Sequence, residues 1–309
     1  RGAVTWKSTV GTNVASDALS NLASSGVTGG TVVIIGEDYG EGSSIMQERT
    51  HAFAMKSQMW LIDPRPNLPS IVDFTEKAFQ LSEASNTPVF LELRVRSCHL
   101  YGQFIAKNNQ KPKYTLGEAL NNPVRDVNRI VLPPASFLQE EDKIKRRLPA
   151  AIQFIKDHKM NEVLEGERND IGIIVQGALF NNLNRALVQF GLSDHLGNVK
   201  VPIYVMNVTY PIVDDEVIEF CKDKKGVLLI EEGQPNFIEQ SIGLTMFNKE
   251  VKTKLHGKDL LPMGGDYSIG VLEVALCNVF NLYEPQLEIE EKEGAINIIP
   301  QDLQTLSEA

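Results

Sequence analysis

Two blocks of this chain alternate short β-branched runs with longer stretches of helical period, and that alternation restricts the fold more than any other feature. A parallel strand needs a crossover to return to its starting edge, so repeated strand–helix units imply open sheets covered by helices. In the first block the predicted strands are 2–8, 31–36, 58–62 and 88–97, with Thr28-Gly29-Gly30 as the turn before the second. A helix is predicted over 68–85, because Ile71, Phe74, Ala78, Phe79 and Leu81 form an apolar stripe while Glu76 and Lys77 face water. Pro69 suits its first turn, where no backbone N–H is required. A second block starts at Asp170, with strands predicted over 171–176, 202–207 and 226–231. The expected fold class is α/β, as two open, mostly parallel sheets flanked by helices.

Between the blocks the composition shifts to Asn, Pro, Lys and Glu. One helix is expected there, over 140–159, with Ile144, Leu148, Ile152 and Ile155 at helical spacing and Pro149 kinking or ending it. The chain of 309 residues has material for two cores. The expected division is a first α/β domain over 1–101, an interdomain linker with a helix over 102–168, a second α/β domain over 169–250, and a connector toward a further domain over 251–309. Within that connector, 284–293 is strongly acidic and reads as solvated.

Several function classes are disfavoured. A formal charge of −10 repels phosphate backbones, so nucleic acid is not an expected partner. No apolar run approaches the ~18 residues of a membrane span. Cys98, Cys221 and Cys277 lie far apart without a C-x-x-C pair, so neither a zinc ribbon nor a local iron–sulfur motif is encoded. They read as buried free thiols in a reducing cytoplasm. The opening residues, Arg1 to Trp6, include no initiator Met and no targeting pattern, so the chain is expected to be an internal piece of something longer.

Candidate site residues cluster after two of the strands. The stretch from Gly36 to Ser44, which includes Ser43, leaves a strand and enters a helix predicted over 45–56. That setting suits a phosphate cradle, a mobile glycine-rich active-site loop or a plain turn. Glu37, Asp38 and Glu41 argue against a bare phosphate. Gln47 follows on the helix, sharing a face with His51. Arg49 presents a guanidinium fork that can grip a planar carboxylate with two parallel hydrogen bonds, or form a surface pair with Glu48 or Glu41. Ser8, Thr9, Gly11 and Asn13 line the first strand-to-helix passage, where active-site lining and helix capping by Thr12 or Asn13 are the alternatives. Asp214-Asp215-Glu216 reads as an acidic helix start rather than a metal site. The run Lys143, Lys145, Arg146 and Arg147 is either a solvated helix face or a docking patch for an acidic redox protein.

The residues from Gly2 to Leu19 and from Gly36 to Arg49 resemble the pyrimidine-binding domain of the indolepyruvate:ferredoxin oxidoreductase family, in its long fused bacterial form. The likeness continues through 132–138, 207–211, 231–235 and 255–259, and 170–250 is similar to a transketolase C-terminal-like domain. The resemblance implies thiamine-diphosphate-dependent oxidative decarboxylation of an aryl 2-oxoacid, with coenzyme A taking the acyl group and ferredoxin taking electrons through [4Fe-4S] clusters. It also implies Mg²⁺, a homodimer, and separate diphosphate-binding and iron–sulfur domains or subunits. The family's catalytic glutamate lies upstream of Gly2, and the only near match to its G-D-G motif, Gly264-Gly-Asp-Tyr267, lacks the continuation. The chain alone is therefore expected to hold no complete cofactor site and to be inactive. The rival expectation is a noncatalytic interaction or scaffold module that has lost its cofactor-binding partner domain.

Overall fold

A computed structural model describes residues 1–39, 49–109 and 115–283. The first unit runs β1 (Gly2–Lys7), α1 (Ser8–Ser25), β2 (Thr31–Glu37), α2 (Thr50–Ser57), β3 (Trp60–Ile62), α3 (Leu68–Ser85), β4 (Val89–Arg94) and one turn, α4 (Val95–Cys98). The predicted 68–85 helix is α3. Its start is held by the Asn67 side chain, which accepts the Ser70 N–H at 2.9 Å, and Asn86 ends it in a left-handed conformation. Phe74, Ala78 and Leu81 bury the apolar stripe against Trp60, Ile62, Val89 and Leu91.

Next come α5 (Leu116–Asn121), α6 (Ala135–Asp142), α7 (Leu148–Asp157), β5 (Glu162–Leu164), β6 (Ile171–Gln176), α8 (Phe180–Gln189), β7 (Ile203–Met206) and β8 (Val208–Tyr210). The described chain closes with α9 (Asp214–Cys221), β9 (Gly226–Ile230), α10 (Phe237–Asn248), β10 (Lys254–His256) and α11 (Ile269–Tyr283). Pro149 does not stop the helix outright. A π-helical turn, Lys143–Arg147, joins α6 to α7 just before it, and the wider turn accommodates the missing N–H and the bulky ring.

The strand order is β1-β2-β4-β3-β8 in one sheet and β10-β9-β6-β7-β5 in the other. Both are parallel except for a short antiparallel strand at one edge, β8 on β3 and β5 on β7. The two-sheet α/β expectation therefore holds, but the predicted strand 202–207 continues into a second strand. At Asn207 the chain leaves the second sheet and enters the first. Asn207 is fully buried, and its amide donates to Met160 O at 2.9 Å and Glu162 Oε1 at 2.8 Å. Its side-chain oxygen accepts the Arg65 N–H at 3.0 Å, and its backbone oxygen accepts the Asp63 N–H at 2.8 Å.

Two expected boundaries need correction. The helix assigned to a linker over 102–168 belongs to the first core, because Ala151 and Ile155 of α7 pack with Trp60 and Phe74. Nor is 251–309 a connector throughout. Leu272, Ala275, Leu276, Val279 and Phe280 of α11 join the core of the second sheet with Ile171, Ile173 and Leu228, and β10 extends that sheet. Of the three cysteines only Cys221 is buried; Cys98 is exposed and Cys277 intermediate. Among the described residues, no helix is long and apolar enough to cross a membrane.

Candidate functional site at the junction of the two sheets

The C-terminal edges of the two parallel sheets face one another, and open α/β folds bind ligands outside such edges. Gly177 follows β6, and a Cβ placed there would lie 2.1 Å from the backbone oxygen of Asp63, which follows β3. Gly233 follows β9 with φ +79°, and a Cβ there would lie 2.8 Å from the Tyr39 ring beyond β2. Glycine is required at both positions by close approach, and at Gly233 by backbone conformation too.

Buried charge fills the seam. Arg94, at the end of β4, donates to Asp63 Oδ2 at 2.7 Å and to Glu232 Oε2 across the junction. Arg49 donates to Glu231 Oε1 at 2.6 Å and to the Pro235 carbonyl. Glu231 also accepts the Ile238 and Glu239 N–H groups, each at 2.9 Å, so it caps α10 while it binds Arg49. Tyr39 packs between the guanidiniums, with Arg94 4.9 Å and Arg49 5.9 Å from its ring centroid. Its hydroxyl meets Glu92 at 3.3 Å. Lys258 donates to Glu231 O and to the Tyr267 hydroxyl, both at 2.6 Å, and burial pushes its ammonium down to about 8.

Three carboxylates of the seam are raised above the ordinary range. Burial, then the neighbouring Asp63 and Glu37, drive Glu92 well above the ordinary carboxylate range. Burial also raises Asp63, although Arg94 opposes it. Glu37 is raised by burial, while the Thr50 and Ser8 side chains beside it pull the other way. Its carboxylate accepts the Thr50 N–H at 3.1 Å, which joins the end of β2 to the start of α2. For Glu92 the consequence for stability has a definite sign. Below its ordinary value of 4.5 both states carry the proton, and above it the native chain retains a proton that the unfolded chain has released. Stability therefore falls as pH rises from 4.5 toward the raised native value. Glu92→Gln is expected to be more stable than wild type at neutral pH and to lose less stability as the pH is raised. Urea unfolding of both proteins across about pH 5 to 8 measures this.

The predicted site residues separate into groups. Ser43, Ser44 and Gln47 lie outside the described residues, as do Glu41 and Glu48. Ser8 and Thr9 are buried at the start of α1, and the contact of Lys7 with Asp38 at 3.8 Å joins this passage to the end of β2. Helix α1 starts at Ser8, so Thr12 and Asn13 lie inside it and do not cap it. Thr12 instead accepts the Trp6 indole N–H at 3.0 Å. What approaches Gly11 is the Trp6 ring, 2.3 Å from where its Cβ would be. Asn13 sits on the exposed side of the helix.

Arg49 is neither a surface ion pair nor an open fork. Its side chain is fully buried against Glu231, so replacing it would strand a buried carboxylate and cost stability. His51 is buried and stacked on Phe237 at 5.7 Å, and burial with the nearby Arg49 holds its imidazole well below the usual range. The basic run pairs with acids of its own chain. Lys143, Lys145 and Arg146 pair with Glu140, Glu141 and Asp142, while Arg147 pairs with Asp142 and donates to Ala23 O and Ser24 O at the end of α1. Asp214, Asp215 and Glu216 open α9. Sequence reasoning missed Tyr39, Asp63, Glu92, Arg94 and Glu232. A signal existed for two of them: Glu92 and Arg94 alternate within the otherwise apolar Val89–Arg94 run, so they share one face of a buried strand.

Two open α/β units joined edge to edge define a class of fold. The solved 2-oxoglutarate:ferredoxin oxidoreductase from Magnetococcus marinus, whose structure holds 2-oxoglutarate, coenzyme A and succinyl-CoA, shares it with a TM-score of 0.60 at 14% identity, over 89% of this chain and 52% of that one. Residues 160–271 match the indolepyruvate ferredoxin oxidoreductase middle domain. Indolepyruvate oxidoreductase subunit IorA of Methanothermobacter marburgensis is 27% identical over 94% of this chain and 45% of its own length. Its counterpart from Pyrococcus abyssi is 27% identical over 84% of this chain and 39% of its own length. The likeness to the indolepyruvate:ferredoxin oxidoreductase family is thus borne out, and the chain spans less than half the length of these relatives.

Proposed function

We propose that the chain is one segment of a homodimeric, thiamine-diphosphate-dependent enzyme that oxidatively decarboxylates an aryl 2-oxoacid, forms an acyl-CoA and reduces ferredoxin. The observation that carries this reading is the match of residues 160–271 to the indolepyruvate ferredoxin oxidoreductase middle domain. In it the first sheet supplies a pyrimidine-domain wall, with Ser8 and Thr9 at its edge, and the second sheet braces that wall.

The described residues do not fit the cofactor's diphosphate and its Mg²⁺. Arg49, Arg94 and Lys258 are each engaged by acceptors of this chain. No group of three or more His, Cys, Asp or Glu suited to a metal occurs among the described residues. The turn at Gly264-Gly-Asp-Tyr267 is closed by an Asp266–Arg96 ion pair and by the Tyr267 N–H on Glu232. In this reading the diphosphate, the metal and the [4Fe-4S] clusters belong to other domains or subunits. Substrate class is tested on the intact enzyme by reduction of a viologen dye with coenzyme A present. Indolepyruvate or phenylpyruvate is expected to be the better substrate; a preference for 2-oxoglutarate overturns the aryl assignment.

A further inference from the structure

One hydrogen-bonded series of titratable side chains lies outside the charged seam. His256 ends β10, the edge strand of the second sheet, and Tyr283 ends α11. His256 is only 6% exposed, and both of its ring nitrogens are engaged. Nδ1 lies 2.7 Å from Asp259 Oδ2, and Nε2 lies 2.7 Å from the Tyr283 hydroxyl. Asp259 is itself fixed, because its other oxygen accepts the Gly257 N–H at 2.7 Å. Gly226 makes room for the phenol: a Cβ there would lie 2.4 Å from the Tyr283 ring. The two rings meet edge to face at 5.6 Å.

The donors and acceptors in this series have a fixed direction. An ionised Asp259 can only accept, so Nδ1 donates to it, and in a neutral ring Nε2 is then the lone pair facing the phenol. A nucleophile, a base and a group that orients the base thus stand within hydrogen-bond reach of one another, which is the arrangement that activates a hydroxyl. Tyr283 is partly exposed, so a small reagent can reach it. Burial, and then the nearby Asp259, raise its phenol above the ordinary value of 10, so its proton must leave as a new bond forms. We propose that Tyr283 is a modification site for acyl donors with a good leaving group, with His256 as general base and Asp259 as the residue that positions it. Tyr283 Oη attacks the acyl carbon while its proton passes to His256 Nε2. The bond to the leaving group then breaks, and His256 gives the proton to that group. An acyl ester of Tyr283 and a protonated leaving group result, with no change in oxidation state.

The probe is p-nitrophenyl acetate, added in limiting amount to the full chain, with acetylated peptides followed by mass spectrometry. Tyr283 is expected to be acetylated ahead of Tyr101, a phenol that is 99% exposed. Without the base, the exposed phenol should react first. His256→Gln should slow acetylation of Tyr283 by about a hundredfold or more, the contribution of a positioned base, and leave Tyr101 unaffected. Its residual rate should climb with hydroxide across neutral pH, whereas the wild-type rate levels off once the imidazole is neutral. Asp259→Asn should lower that plateau without abolishing it; a purely structural role for either residue leaves the pH profile of Tyr283 acetylation as it is. Acetylation of Tyr283 no faster than that of Tyr101 in the wild type overturns the proposal, and so does a His256→Gln rate within about threefold of wild type.

Discussion

Arg94→Met is expected to destabilise the chain by about 3 to 5 kcal/mol, the range for removing one member of a buried ion pair. Arg94 is the cation on which Asp63, Glu232 and Glu92 converge, and its side chain is only 7% exposed. Without it, Asp63 and Glu232 face each other across the junction in a medium too poor in water to solvate them. The double variant Arg94→Met, Glu232→Gln should be less destabilised than the single one, since one stranded charge is gone while the Tyr267 N–H still finds an amide oxygen. Urea unfolding of the three proteins measures both effects. A loss under about 1 kcal/mol for Arg94→Met places the pair among surface bridges and removes it as a structural cause.

Gly177→Ala has a similarly large expected effect from a different cause. The new methyl carbon meets a backbone carbonyl at 2.1 Å and the Asn207 side-chain oxygen at 2.7 Å. Neither is the loose end of a flexible side chain: the carbonyl is fixed by the end of β3, and the Asn207 oxygen already accepts the Arg65 N–H. The sheets must separate locally, at a cost of about 3 kcal/mol, the upper part of the range for overpacking. Thermal unfolding by calorimetry, with amide exchange at Asp63 and Asn207, should show a lower midpoint and faster exchange confined to the junction. A midpoint within about 1 °C of wild type means that the edges are not in contact in solution.

The sequence carried local signals well. The stripe of Ile71, Phe74, Ala78 and Leu81 defined α3, because helical spacing and the Asn67 and Pro69 start signals agree. The first strands were legible for the same reason. The junction was not. Arg49 and Glu231 are 182 residues apart, and Arg94 and Glu232 are 138 apart, so no window of local periodicity contains both partners. A guanidinium near a glycine-rich loop reads equally as a ligand for substrate or for another carboxylate, and only the tertiary approach of β9 to β2 decides. The switch of strands at Asn207 was hidden similarly, since one extended run passes through two sheets without a glycine or proline to mark the change. Helix α11 was missed because it follows an irregular stretch, and its membership of the second core depends on contacts with β6 and β9.

On the function proposed above, this chain braces and partly lines a cofactor site whose anchoring groups lie elsewhere. Calorimetric titration of the isolated chain with thiamine diphosphate and Mg²⁺ tests it most directly. The account predicts a dissociation constant weaker than micromolar, because an affinity of about 8 kcal/mol exceeds what Ser8, Thr9 and an internally paired set of cations can supply. Saturable one-to-one binding at micromolar or tighter would contradict it.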